Sequence, residues 1–119
     1  MTIRIKRVYE TPSPDDGVRY LVDQLWPRGV KREDLQIEAW LREVAPSKPL
    51  LKWFGHDPEK WEEFRSRYYQ ELNQNEGALQ PLVETARNGT VTLVYAARDE
   101  EHNNALALKQ YLDERFQSG

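Results

Sequence analysis

From Ile3 to Tyr9 the chain alternates, with Ile3, Ile5 and then Val8 or Tyr9 separated by Arg4, Lys6 and Arg7. That is the period of a half-buried strand. The segment TPSPDDG follows with two prolines and a glycine, which predicts an exposed loop. Val18 to Leu25 is a short apolar run in which the β-favouring Val18, Tyr20 and Val22 tip the balance to a strand ending near Asp23 to Leu25. From Arg32 the period lengthens: Ile37, Trp40, Leu41 and Val44 stand at i, i+3, i+4 and i+7, one face of a helix ended by Pro46.

Three prolines, Pro46, Pro49 and Pro58, then surround the aromatic pair Trp53 and Phe54. Asp57 before Pro58 is a helix start, because the carboxylate can cap free backbone donors and proline fits the first turn. The helix it opens carries Trp61, Phe64, Tyr68 and Leu72 on one stripe and is punctuated by Gly77. A shorter helix is marked by Leu79, Leu82, Val83 and Ala86 and closed by Asn88 and Gly89. Thr90 to Ala97 is the most β-like run, apolar on both faces after Thr92, the pattern of a central strand covered by helices on both sides. A last helix, entered through Arg98, Asp99 and Glu100, turns Ala105, Leu108, Tyr111, Leu112 and Phe116 inward.

This order predicts an α/β protein: a single small domain over residues 1–119, with a short, mainly parallel sheet and helices packed against it. At 119 residues the chain can build a core without staples. It has no cysteine, which removes disulfides, thiolate metal sites and thiol nucleophiles, and fits a reducing cytoplasm. The N-terminal stretch lacks a continuous apolar run and no segment is long enough to span a bilayer, so a cytoplasmic protein without a membrane partner is expected. A net charge of -3 disfavours broad contact with nucleic acid, and Arg4, Lys6 and Arg7 read as a solvated sheet edge.

In open α/β sheets ligands sit beyond the carboxyl ends of the strands. Those ends carry Asp23 to Gly29 (DQLWPRG) and Tyr95 to Asn104, so a crevice between them would gather Asp23, Trp26 and Arg28 with Tyr95, Arg98, Asp99, Asn103 and Asn104. Arg28 and Arg98 can fork onto a phosphate or carboxylate, Trp26 and Tyr95 can wall a planar group, and Asp23, Asp99 and Asn103 can orient polar atoms. Against this, Arg28 with Asp99, or Arg98 with Asp23, can pair across the turns, and Trp26 can be core. Asp23 and Asp99 are candidate general bases for an enzymatic version. His56 in GHDP is a third, with Asp57 orienting it; alternatively it packs on Trp53 or Trp61.

A metal site would need His56, His102 and Asp99 to converge, and their spacing gives no such signal, so no metal is expected. Ser47 has no nucleophile-elbow sequence around it, and no glycine-rich phosphate motif or other cofactor signature occurs. The leading expectation is a small anionic or nucleotide-like ligand. The competing one is a protein-interaction module with Trp53 and Phe54 exposed on a docking loop. Oligomeric state is not legible.

The stretches DDGVRYLVDQLWPRG, WLREVAPSKPLLKWFGHDPEKWEEFRSRYYQEL and VTLVYAARDEEHNNALALKQYL resemble the YeaO-like branch of the domain-of-unknown-function-488 family, in order from about Ile3 to Leu112. The resemblance implies no established reaction. Gln24 and Leu51 stand where the branch usually has arginines. Longer members of the wider family have a Cys-His-Arg helix start where this chain reads Glu101, His102, Asn103, Asn104, which implies that any thiol chemistry is lost and a binding crevice alone persists.

Overall fold

The computed structural model describes residues 2–116. Four strands, β1 (Thr2–Arg7), β2 (Val18–Leu21), β3 (Ala39–Trp40) and β4 (Thr90–Tyr95), form one sheet in the order β1-β4-β2-β3. Every pairing is parallel. β4 lies inside it, with Ile3 opposite Val91 on one side and Tyr20 opposite Leu93 on the other. This places the most apolar run of the chain where both of its backbone edges are satisfied.

Alternation along these strands splits the residues between two faces. Ile3, Tyr20, Val22, Val91, Leu93 and Tyr95 join the main core. That core is completed by α2 (Lys48–Phe54), α3 (Trp61–Asn73), α4 (Glu76–Arg87) and α5 (Asn104–Phe116). Phe54 and Phe64 stack with ring centroids 4.2 Å apart, and Trp61 lies 6.1 Å from Phe54, so aromatic contacts join α2 to α3. The helix start expected at Asp57 holds, since Asp57 caps a 3-10 turn, Pro58–Lys60, that runs into α3, whereas the last helix begins only at Asn104, after Arg98, Asp99 and Glu100. The break between α3 and α4 falls at Gln74 and Asn75 instead of Gly77, which lies in the first turn of α4. Among the described residues no helix is long and apolar enough to cross a membrane.

The second face differs from the expectation of helices on both sides. It carries Val8, Leu21, Leu35 and Val94 with Trp26, Val30, Ile37 and Trp40, and is covered by loops and the four-residue α1 (Arg32–Leu35). Polar side chains on this face explain the cover. Arg19 donates from Nε and Nη2 to the Leu35 carbonyl at 3.1 and 2.9 Å and from Nη1 to Asp16 at 2.7 Å. Thr92 Oγ1 donates to the Asp16 carbonyl at 2.7 Å, and Lys6 Nζ pairs with the Asp16 carboxylate at 3.1 Å. Loop backbone can satisfy such groups; a helix flank, whose carbonyls are already bonded, cannot.

The segment predicted as one helix from Arg32 to Val44 breaks into α1, β3 and a 3-10 turn over Arg42–Val44. Gln36 ends α1 in the left-handed region, φ 51°. The apolar spacing was read correctly and given the wrong period. Ile37 and Trp40 pack on the loop-covered face whereas Leu41 and Val44 pack on the helix-covered one, a division no single helix face permits. Backbone bonds from Glu38 N to Arg19 O (2.7 Å) and from Leu41 N to Leu21 O (2.8 Å) fix the segment to β2 instead.

Gly17 is required by both conformation and space. Its φ is +64°, and a Cβ there would lie 2.2 Å from the Thr90 carbonyl oxygen. It sets the approach of the loop that carries Asp16, itself 4% exposed.

Burial alone raises the Asp16 carboxyl, but the Ser13 N–H, Lys6 and Arg19 more than reverse this and hold it below its ordinary value of 3.8. Its stabilising contribution is therefore complete at neutral pH and is lost as pH falls through the depressed folded value. Asp16→Asn, which leaves Arg19 buried without its counter-charge, is expected to cost about 3 kcal/mol in urea unfolding and to flatten the acid limb of the stability curve. An unchanged acid limb would show that the carboxylate does not carry this face.

Candidate functional site

Both neighbours of β4 leave the sheet on the side opposite to β4 itself. β4 leads into α5 on the helix-covered face, whereas β2 leads into the Trp26 loop on the other. Divergent exits of adjacent strands leave a crevice at their carboxyl ends. An open cavity of about 460 Å³ lies there, bordered by Asp23 to Arg28, Ala96, Ala97 and Asn104, with Tyr9 following β1 and Leu51, Phe54 and His56 contributed by α2 and its exit.

Asp23 is the polar centre of this cavity. Its Oδ2 accepts from the Ala96 N–H at 2.9 Å, its Oδ1 accepts from Asn104 Nδ2 at 3.0 Å, and its backbone carbonyl accepts from Trp40 Nε1 at 2.7 Å. Asn104 Nδ2 also donates to the Val22 carbonyl at 3.0 Å. Burial raises the Asp23 carboxyl above 3.8, only partly countered by Asn104 and Ala96. Among the described residues no cation forms an ion pair with it.

Trp26 serves packing as well as the cavity wall. Its Nε1 donates to the Val30 carbonyl at 2.8 Å, its ring meets Trp40 edge-on at 5.5 Å, and the Arg32 guanidinium lies 5.9 Å from its centroid. Arg28 is exposed at the rim, and its carbonyl accepts from the Tyr9 hydroxyl at 3.2 Å. Gly29, at φ +77°, supplies the left-handed residue the turn needs. Neither Arg28 with Asp99 nor Arg98 with Asp23 forms an ion pair among the described residues.

The remaining candidates from the second loop do not border the cavity. Tyr95 is buried in the main core, and Arg98 is exposed elsewhere on the surface. Asp99 accepts from the N–H groups of Glu101 and His102 and lies 2.9 Å from His102 Nδ1, contacts that lower its carboxyl. Asn103 caps α5: its Oδ1 accepts from Leu106 N at 2.8 Å and its Nδ2 donates to the Asp99 carbonyl at 3.0 Å. Asn104, one residue on, is the one that reaches the cavity.

His56 borders the cavity and adopts a left-handed backbone, φ 57°, uncommon outside glycine. Its expected partner Asp57 caps the following turn, Oδ1 accepting from Glu59 N at 3.0 Å, and the ring neighbour of His56 is Phe54 at 6.4 Å, not Trp53 or Trp61. His102 instead meets Trp61 edge-on at 5.4 Å. Ser47 caps α2: its hydroxyl donates to Glu71 Oε2 at 2.6 Å and accepts from Leu50 N at 3.3 Å. Among the described residues no three metal-ligating side chains gather.

The docking loop expected around Trp53 and Phe54 is not exposed. Phe54 is 3% exposed, and half-buried Trp53 has the Arg67 guanidinium 4.2 Å and Lys60 Nζ 5.1 Å from its ring centroid. The β1 cations are engaged too: Arg4 donates to the Asp15 carbonyl at 3.2 Å, and Arg7 donates to the Ala97 and Ala96 carbonyls at 2.9 and 3.3 Å. Tyr9 and Leu25, at 53% and 67% exposure, both border the crevice. Sequence reasoning missed Tyr9 because the strand-end rule was applied to two strands, whereas β1 ends beside the same cavity. Phe54 was missed as a wall because its role depends on how α2 folds back.

Fold and cavity together define a small parallel α/β protein with an open site at its strand ends. The chain belongs to the DUF488-N3i family, described as the "Inactive DUF488-N3 subclade", whose model matches residues 2–119. It is 42% identical over 113 residues to the uncharacterised protein Rv3073c of Mycobacterium tuberculosis strain H37Rv, covering 95% of each chain. It is 40% identical over 112 residues to the uncharacterised protein YeaO of Escherichia coli K12, covering 94% of this chain and 97% of that one. No solved structure matches the chain. Gln24 and Leu51, the two departures from the resemblance, both border the cavity.

Asp23→Asn replaces one of two acceptor oxygens by a donor, leaving Ala96 N–H or Asn104 Nδ2 unpaired. It is expected to cost about 1–3 kcal/mol. Because the folded carboxyl is raised, the wild-type advantage over this variant is largest below the unfolded value and shrinks as pH rises through the folded one. Urea unfolding of both proteins across acid to neutral pH reads this directly; the opposite slope would overturn the assignment.

Proposed function

We propose that this protein, a single domain over residues 1–119 acting in the cytoplasm, binds a small anionic, nucleotide-like molecule at the carboxyl edge of its sheet. The observation that carries the proposal is the half-buried Asp23 carboxylate, unpaired with any described cation, in a cavity that also holds Trp26, Phe54 and rim Arg28. A planar heterocycle suits the aromatic walls, and N–H donors on its edge suit Asp23. An anionic group suits the exposed Arg28, whose fork is free to chelate it. Binding without turnover is favoured by the family's description as inactive. The net charge of -3 and the engaged β1 cations argue against nucleic acid as the partner. The interaction-module reading loses its main support with the burial of Phe54.

Nucleoside monophosphates, their parent nucleosides and inorganic phosphate, screened by thermal shift, test this. At least one monophosphate is expected to raise Tm more than either part alone. Arg28→Ala should remove the gain due to the phosphate, and Arg98→Ala should leave it intact. No shift with any monophosphate, or equal loss in both variants, would sink the proposal.

A further inference from the structure

A second open cavity, of about 430 Å³, lies on the other side of Gln24, between the Arg42–Val44 turn and α3. Its border is more ionic than that of the crevice, and its charges do not neutralise one another. Arg42, Glu43 and Glu71 all border it, yet among the described residues Arg42 forms no ion pair with either carboxylate.

The hydrogen-bond inventory shows which groups remain available. Arg42 donates through Nε to Gln24 Oε1 at 3.2 Å and lies 5.3 Å from the Trp40 ring centroid. No described residue accepts from its two terminal nitrogens. Glu71 is held in place by Ser47, whose N–H donates to Oε1 at 2.9 Å and whose hydroxyl donates to Oε2 at 2.6 Å. A carboxylate has about four lone-pair sites, so half of its capacity is unused. Glu43 offers an exposed carboxylate, while its backbone carbonyl accepts from Asn75 Nδ2 at 2.8 Å.

We infer that this second cavity binds a compact zwitterion of the α-amino-acid class, its carboxylate on the free fork of Arg42 and its ammonium on Glu71. A guanidinium fork can hold a carboxylate by two parallel bonds, and a carboxylate already oriented by two donors loses little freedom on accepting an ammonium. A simple anion would meet Glu43 and Glu71, and a simple cation would meet Arg42. Only a ligand carrying both charges matches the whole border. Half-buried Ala45 provides apolar surface for a small side chain. The inference stands on residues other than Arg28 and Asp23 and is independent of the crevice reading.

The test is a titration of the ¹⁵N-labelled full chain with glycine, leucine, glutamate and lysine, following the Asn75 side-chain amide and Arg42 Nε–H signals. At least one amino acid is expected to give a saturable shift. Acetate and methylammonium, each carrying one half of the zwitterion, should bind weaker by about tenfold or more. Arg42→Gln should weaken the amino acid by about tenfold. Glu71→Gln should do the same, but it also disturbs the Ser47 cap, so exposed Arg42 is the decisive position. Absence of saturation with all four, equal binding of acetate or methylammonium, or an unaffected Arg42→Gln protein would overturn the inference.

Discussion

The carboxylate of Asp23 is where the two halves of the chain meet. β2 ends at Leu21 and β4 at Tyr95, and the chain leaves these adjacent ends on opposite faces of the sheet. Parallel strands that diverge in this way expose backbone donors with no strand left to pair them. Asp23 supplies the missing acceptors, bonding the Ala96 N–H directly and α5 through Asn104. One residue thereby closes the sheet end and leaves a cavity above it. The cost is a carboxylate taken largely out of water without a counter-charge, the condition that raises its proton affinity.

The loop-covered face solves a related problem with the opposite chemistry. Arg19 and Thr92 point from central strands into a region that water does not reach, at 5% and 1% exposure. Asp16 answers them with side chain and backbone together, and Lys6 adds a second cation to its carboxylate. Here the buried charge is paired and its carboxyl is lowered; at Asp23 it is unpaired and raised. The contrast is between a carboxylate balanced by two cations and one balanced only by neutral donors.

Much of this was legible from the chain. Strand β4, the helices carrying Trp61 and Leu108, the Asp57 cap and the strand-end position of DQLWPRG follow from periodicity and local chemistry. The failures have a common cause in tertiary competition. Ile37, Trp40, Leu41 and Val44 carry a helical spacing, but the open edge of β2 offered backbone bonds that a local pattern cannot see. Asn103 and Asn104 are adjacent and chemically identical; only the position of the helix start decides that the first is a cap and the second a cavity residue. Trp26 combined two roles the sequence presented as alternatives, since its indole is bonded to Val30 while an edge of it borders the crevice.

If the crevice takes a ligand as proposed, its charges make an anion alone a poor occupant. Arg28 stands at the rim, where water screens it, whereas half-buried Asp23 is screened less. A free phosphate would gain a screened contact and approach a less screened carboxylate. A ligand with a donor edge reverses the second term, turning Asp23 from a source of repulsion into an acceptor. Aromatic body, donor edge and anionic group are therefore not three separate preferences of the crevice. On the proposed reading, the donor edge is what makes the anion admissible.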